Sequence, residues 1–196
     1  MTTTTDTAAA AAIEAATREL RLPAIREHAG RLAAESQRAK ATYLGFLAEL
    51  LMAECDDRDT RRTTRRLREA GFPRPKSLAD FDYQANPNIN PATIHTLASA
   101  AWVRTGQPLC LIGDSGTGKS HLLIGLGVAA CEQGRSVRYT TTAQLVNELV
   151  EAAGERVLSR VVARYGRLDL LCLDELGYVQ IDPRGAELLF QIITER

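Results

Sequence analysis

Apolar positions along the chain change their period, and the changes divide it into segments. Over residues 13–21, over 23–40 and again from about residue 42, leucine and isoleucine recur among charged residues at steps of three and four: Leu20, Leu22, Ile25 and Leu32, then Leu44, Leu47, Leu50 and Leu51. That spacing predicts three amphipathic helices, with Pro23 suited to a first helical turn. Residues 1–12, rich in Thr and Ala, read as a disordered tail that runs into the first helix. The third helix continues through 58–68, where Leu67 is the one apolar residue among six arginines. Gly71-Phe72-Pro73-Arg74-Pro75 ends it, and an irregular connector follows that carries Phe81 and Tyr83 and then Asn86-Pro87-Asn88-Ile89-Asn90-Pro91.

Beyond the connector the pattern alternates. A helix over 91–105 turns Ile94, Leu97, Ala98, Ala101 and Trp102 inward and stops at Gly106. The apolar run 109–112 predicts a buried parallel strand, 121–131 a helix (Leu122, Leu123, Leu126, Ala129), and 136–141 a second strand after Gly134. Thr142 caps a helix over 143–152 with Leu145, Leu149 and Val150 inward; a further helix covers 155–164, and a third strand 168–173. Strand, helix, strand, helix, strand predicts an α/β core, a parallel sheet with helices on both faces. The organisation is then a tail over 1–12, a small all-α domain over 13–72, a linker over 73–90 and the α/β core over 91–196.

The first strand and its helix flank Gly113-Asp114-Ser115-Gly116-Thr117-Gly118-Lys119-Ser120, which fits G-x-x-x-x-G-K-[ST] in the strand, loop, helix setting that a phosphate-binding loop needs. Its glycines allow backbone closed to residues with a Cβ and bring amides close to an anion, onto which the next helix also aims its N-terminus. Lys119 then reaches the β- and γ-phosphates of ATP, and Ser120 contributes its hydroxyl to a Mg²⁺ ion. The third strand ends in Asp174-Glu175. Asp174 suits the same Mg²⁺ ion, through water, and Glu175 the orientation or deprotonation of an attacking water. Asp169, at the other end, reads as structural. A catalytic Glu beside the metal-binding Asp, with no arginine-rich lid in view, favours ATP hydrolysis coupled to mechanical or switching work over a small-molecule kinase. Phe81 and Tyr83, just ahead of such a core, either wall the adenine pocket or pin the connector to the core. His28, His95 and His121 lack partners for catalysis.

Charge adds one candidate surface. Lys and Arg number 24 against 24 Asp and Glu, so any nucleic-acid surface is local. Arg58, Arg61, Arg62, Arg65 and Arg66 fall at steps of three and four along one stripe of the third helix, suited to the phosphates of duplex DNA. The alternative is a solvated face compensated by Asp56, Asp57, Asp59 and Glu69. Cys55, Cys110, Cys131 and Cys172 form no C-x-x-C pair, which argues against zinc and a disulfide framework. Cys110 and Cys172 fall in the expected buried strands. The N-terminus lacks the basic start and apolar segment of a signal peptide, and no apolar run approaches a membrane span, so the expected setting is cytoplasmic, away from the membrane.

The loop at 113–120, the stretch 168–178 with Leu-Asp-Glu-Leu-Gly-Tyr, the connector 76–83 and the arginine-rich end of the helical segment together resemble the IstB-like ATP-binding proteins, transposition helper ATPases related to the DnaC and DnaI helicase loaders within the AAA+ class of P-loop NTPases. The resemblance implies a homo-oligomer that uses ATP and Mg²⁺, assembles on duplex DNA and assists a transposase encoded nearby. It carries Lys119 and Ser120 over as phosphate and metal contacts, Asp174 as the metal carboxylate and Glu175 as the catalytic acid. It also implies a further strand, between the one before the loop and the one ending at Asp174, and trans-acting arginines, none of which the 196 residues supply. A truncated core that hydrolyses ATP weakly is therefore expected. A helicase loader and a catalytically silent DNA-binding or regulatory fragment stand as alternatives.

Overall fold

The computed structural model describes residues 4–177 and 181–194. It divides the chain into two compact units, 1–62 and 63–196, the boundary falling within a helix ten residues before the end of the expected all-α domain.

The first unit holds α1 (Thr4–Glu19), α2 (Pro23–Arg38) and most of α3 (Tyr43–Ala70). Helix begins at Thr4, so 4–12 are not the disordered tail expected of them; the alanine run 8–12 has the strongest intrinsic helix preference of any residue type and no glycine or proline to interrupt it. Residues 1–3 of that tail lie outside the described residues. The core is Ile25, Ala29, Leu32 and Leu50, with Leu22, Phe46 and Ala53 against it. The buried side of α3 thus runs through Phe46, Leu50 and Ala53. Leu44 and Leu51, expected inside with Leu50, are exposed because each lies about 100° or more around the helix from that line, and Leu47, expected inside too but at its edge, is 49% exposed as well.

A charge sits in this core. Glu54 is 4% exposed, and its Oε2 accepts hydrogen bonds from the backbone N–H of Ala24 (3.0 Å) and Ile25 (3.2 Å), the second and third residues of α2. Leu22, the residue before α2, has no side chain able to cap it, so Glu54 satisfies the helix's orphan donors from another helix. Arg58 completes the arrangement, donating from Nε to Glu54 Oε1 (3.0 Å) and from Nη2 to the Arg21 carbonyl (3.1 Å). Burial pushes the Glu54 carboxyl up, but the hydrogen bonds from Ile25, Arg58 and Ala24 outweigh it and hold the group below its ordinary value.

The second unit contains the end of α3, then α4 (Pro91–Ala98), α5 (Ala101–Arg104), α6 (Lys119–Glu132), β1 (Val137–Thr141), α7 (Thr142–Gly154), α8 (Leu158–Gly166), β2 (Leu170–Asp174) and α9 (Pro183–Thr194). The helix expected over 91–105 breaks at Ala100, which takes a left-handed φ of 53° while Trp102 Nε1 donates back to Leu97 O at 2.9 Å. β1 and β2 pair in parallel from Val137↔Leu170 to Thr141↔Asp174, so both strands end side by side. Alternate residues of β2 face opposite layers. Leu170 and Cys172 join a core with Ile124, Ala130 and Cys131 of α6 and Val137 and Tyr139 of β1. Leu171 and Leu173 pack with Leu145, Leu149, Val162, Leu189 and Ile192 of α7, α8 and α9. This is the expected α/β architecture, helices covering both faces of a parallel sheet.

One expected strand is not formed. Residues 109–112 pair with neither β1 nor β2, Ile112 is 91% exposed, and Cys110 is exposed instead of buried. An apolar run becomes a strand through a neighbour's ladder of hydrogen bonds, and none is present for it among the described residues.

Candidate nucleotide-binding site

Residues 113–118 form a turn into α6. Gly116 and Gly118 take left-handed φ values of 79° and 86°, conformations that cost residues with a Cβ about 1–2 kcal/mol. Gly118 is the N-cap of α6 and has no side chain to offer the helix, so the first-turn amides stay available to an anion. Thr117 Oγ1 donates to Asp114 O (2.8 Å), bracing the turn from inside. Lys119 Nζ folds over the loop and donates to Gly113 O (2.8 Å) and Asp114 O (2.6 Å). Its ammonium thus lies over the turn that the α6 amides face, the geometry of a phosphate cradle. Gly113, Asp114, Ser115 and Ser120 are exposed.

The connector fastens this loop from behind. Phe81 is 8% exposed and lies on Gly118: a Cβ there would meet Phe81 Cε2 at 2.7 Å. Its ring packs edge-on with Tyr83 (4.9 Å between centroids) and His121 (5.3 Å). Asn86 Nδ2 donates to Thr117 O (3.2 Å), and His121 Nε2–H to Ser77 O (2.8 Å). Of the two readings open for the aromatics, these contacts give Phe81 the pinning role. Its fit to Gly118 has no signal in the motif, which marks Gly118 only as part of a turn.

Asp174 ends β2 with both carboxylate oxygens engaged. Oδ2 accepts from the Tyr139 hydroxyl (2.8 Å) and Oδ1 from the Glu175 N–H (2.9 Å), while the Asp174 carbonyl accepts from Thr142 Oγ1 (2.9 Å). Burial, followed by the bond to Asp174, pushes the Tyr139 phenol well above its ordinary value, so it remains a proton donor. Glu175 is left-handed, φ 60°, and exposed. At the other end of the sheet Asp169 is structural, its Oδ2 accepting from Ser136 N and Oγ at 2.7 Å each. Tyr178 of the Asp-Glu-Leu-Gly-Tyr stretch lies outside the described residues.

The packing brings the two motifs to one level. α6 reverses through 133–136 into β1, so it runs against the parallel strands. Cys172 of β2 faces Leu123 and Gly127: its Sγ is 4.0 Å from Leu123 O and 3.1 Å from where a Cβ on Gly127 would be. Two residues further along β2, about 6.6 Å, correspond to about four residues back along α6, which brings Asp174 level with the first turn of α6, Lys119–Leu123.

The donor set fits a nucleotide with its cation. Mg²⁺ in such sites takes one or two protein oxygens and completes its shell with phosphates and water; the Ser120 hydroxyl and the Asp174 carboxylate are oxygen donors of the kind it would take. A bound Mg²⁺ would neutralise phosphate charge.

The arginine stripe is largely neutralised along its own helix. Arg61 pairs with Asp57 (3.0 Å), Arg62 with Asp59 (3.1 Å) and Arg65 with Glu69 (3.8 Å), all exposed guanidiniums, and Arg58 belongs to the Glu54 arrangement. Arg66 lies over the turn at Gly134.

Comparison with known proteins agrees with this geometry. The profile of the family described as IstB-like ATP binding protein matches residues 15–196. An insertion sequence ATP-binding protein of Sinorhizobium fredii is 35% identical over 179 residues, covering 91% of this chain and 60% of the relative. The IS5376 ATP-binding protein of Geobacillus stearothermophilus is 29% identical over 177 residues (90% of this chain, 70% of the relative). The IS21 ATP-binding protein of Pseudomonas aeruginosa is 30% identical over 177 residues (90% and 67%). The chain spans 60% to 70% of the length of these three relatives. With a phosphate loop, an acid-tipped strand at its level and a family match over nearly the whole chain, it belongs to the IstB-like ATP binding protein family.

Proposed function

We propose that this chain is an ATP- and Mg²⁺-dependent helper of DNA transposition that assembles as a homo-oligomer on duplex DNA and assists a transposase encoded nearby. The observation that carries it is the phosphate loop at the N-terminus of α6 on a level with Asp174-Glu175. Lys119 and the loop amides hold the phosphates, Ser120 and Asp174 the cation, and Glu175 orients the attacking water. The insertion-sequence names of the relatives support the setting. Binding leads and hydrolysis is slow in the isolated chain, because 109–112 carries the loop without a strand partner among the described residues. A helicase loader would share the site; capture of a transposase rather than a replicative helicase decides between them.

DNA contact falls to Arg61, Arg62, Arg65 and Arg66. The pairing of Arg61, Arg62 and Arg65 with same-helix carboxylates is no obstacle, since exposed pairs contribute only about 0.2–1 kcal/mol and phosphates can displace them. Arg58 is set apart by its structural bonds. Changing the four to Ala is expected to weaken duplex binding at least tenfold and to flatten the salt dependence of log K by about 3–4, as read by fluorescence anisotropy at several salt concentrations. Unchanged affinity and slope would remove DNA from the proposal. DNA binding that is lost with the four arginines but indifferent to Lys119→Ala would favour the silent, regulatory reading.

A further inference from the structure

The hydroxyl of Tyr139 belongs to neither the phosphate loop nor the paired acids. Tyr139 stands in the core between the sheet and α6, 9% exposed, its ring 6.1 Å from that of Phe72. A phenylalanine would serve that packing equally well. A hydroxyl in such a place costs free energy unless it finds an acceptor, and the acceptor it has is Asp174 Oδ2 at 2.8 Å. The segment that follows adds a second anchor: Thr142, fully buried, donates its hydroxyl to the Asp174 carbonyl at 2.9 Å. The register Thr141↔Asp174 puts both donors in reach, because β1 and β2 end together.

A carboxylate at the exposed end of a strand otherwise samples several rotamers. Here the Glu175 N–H on Oδ1 and the Tyr139 hydroxyl on Oδ2 fix both its torsions. Each oxygen has more than one acceptor direction, so lone pairs remain for a hydrated cation. We infer that Tyr139 is a positioning residue of the nucleotide site, its hydroxyl holding the Asp174 carboxylate in the orientation that receives the cation accompanying ATP. The inference rests on the reading of Asp174 as the cation's carboxylate and assigns the chain a supporting residue that lies outside both motifs.

The test uses the full chain, Mn²⁺ as the cation and a methylanthraniloyl derivative of ATP as the nucleotide. Free Mn²⁺ is followed by electron paramagnetic resonance and nucleotide by fluorescence. Loss of a group that orients a metal ligand typically weakens metal binding about 10- to 100-fold, so Tyr139→Phe is expected to raise the Mn²⁺ concentration for half-saturation at least about tenfold. Nucleotide binding without cation, which rests on the phosphate loop, and the thermal melt followed by circular dichroism report that the variant is folded. A half-saturation point within twofold of wild type, with Asp174→Asn showing the loss, would overturn the role of Tyr139 alone. If Asp174→Asn also left Mn²⁺ binding unchanged, the reading of Asp174 would fall and the inference with it. Loss of nucleotide binding in Lys119→Ala, with or without Mn²⁺, checks the nucleotide site separately.

Discussion

Glu54→Ala is expected to destabilise the first helical unit more than any other single side-chain truncation in it, by about 3 kcal/mol. The substitution removes the acceptor of two buried amides at the start of α2 and leaves Arg58 beside an empty site. For a unit of this size such a loss corresponds to a fall in Tm of more than about 10 °C, measurable by circular dichroism. Glu54→Gln keeps one acceptor oxygen and the shape, so its loss should be smaller. The pH dependence has a definite sign. The folded carboxyl titrates below its ordinary value, so its contribution is complete above the unfolded pKa of about 4.3 and disappears as pH falls through the folded value. Wild type and Glu54→Gln should therefore differ most at neutral pH and converge on acidification below pH 4. A constant difference across that range would show that Glu54 acts through packing and not through its charge.

The second large effect is expected at Gly118. An alanine there must adopt φ 86° and places its Cβ 2.7 Å from Phe81 Cε2 and 3.1 Å from Cζ. The backbone cost is about 1–2 kcal/mol, and the overlap is relieved only if Phe81 leaves its position between Tyr83 and His121 or the loop moves away from it. Either movement shifts the amides at the start of α6. Gly118→Ala is expected to weaken ATP binding at least about 100-fold, a loss near 3 kcal/mol, while the melt of the second unit changes by only a few degrees. Gly116→Ala provides the contrast. Its φ of 79° carries a similar backbone cost, but a Cβ there meets nothing within 4 Å, so its loss should be clearly smaller. Pairing Gly118→Ala with Phe81→Ala should recover part of the affinity, which isothermal titration would detect. Equal losses at the two glycines would mean that backbone conformation alone, without the Phe81 contact, sets the loop.

The site was legible where residue type dictates backbone. Glycines at fixed steps before Lys-Ser predict a tight turn into a helix, and an apolar run ending in two acids predicts a strand; the structure forms that turn at 113–118 and that strand at Leu170–Asp174. What escaped depends on partners distant in the chain. The run 109–112 has the composition of a strand, yet strand formation needs a neighbouring ladder, and no local signal reports whether one is present. Leu44, Leu47 and Leu51 look equivalent to Leu50, but only the docking of α2 selects which side of α3 is covered. Arg58 belongs to the stripe by spacing and to Glu54 by contact, and the buried glutamate was invisible because a charge on an amphipathic helix is normally solvent-facing. Tyr139 had a weak signal: an aromatic hydroxyl on the buried side of a strand next to an acid-tipped one needs an acceptor, and that acid is the nearest candidate. The parallel register that makes them neighbours is a property of the pair of strands.

The most direct test of the nucleotide site is an equilibrium titration of the folded chain with the fluorescent ATP derivative in Mg²⁺, beside Lys119→Ala. Saturable binding that Lys119→Ala weakens at least about tenfold, with an unaltered melt, is the expected result. Equal affinity in the two proteins, or no binding by folded wild type, would contradict the assignment of residues 113–120 as a working phosphate loop.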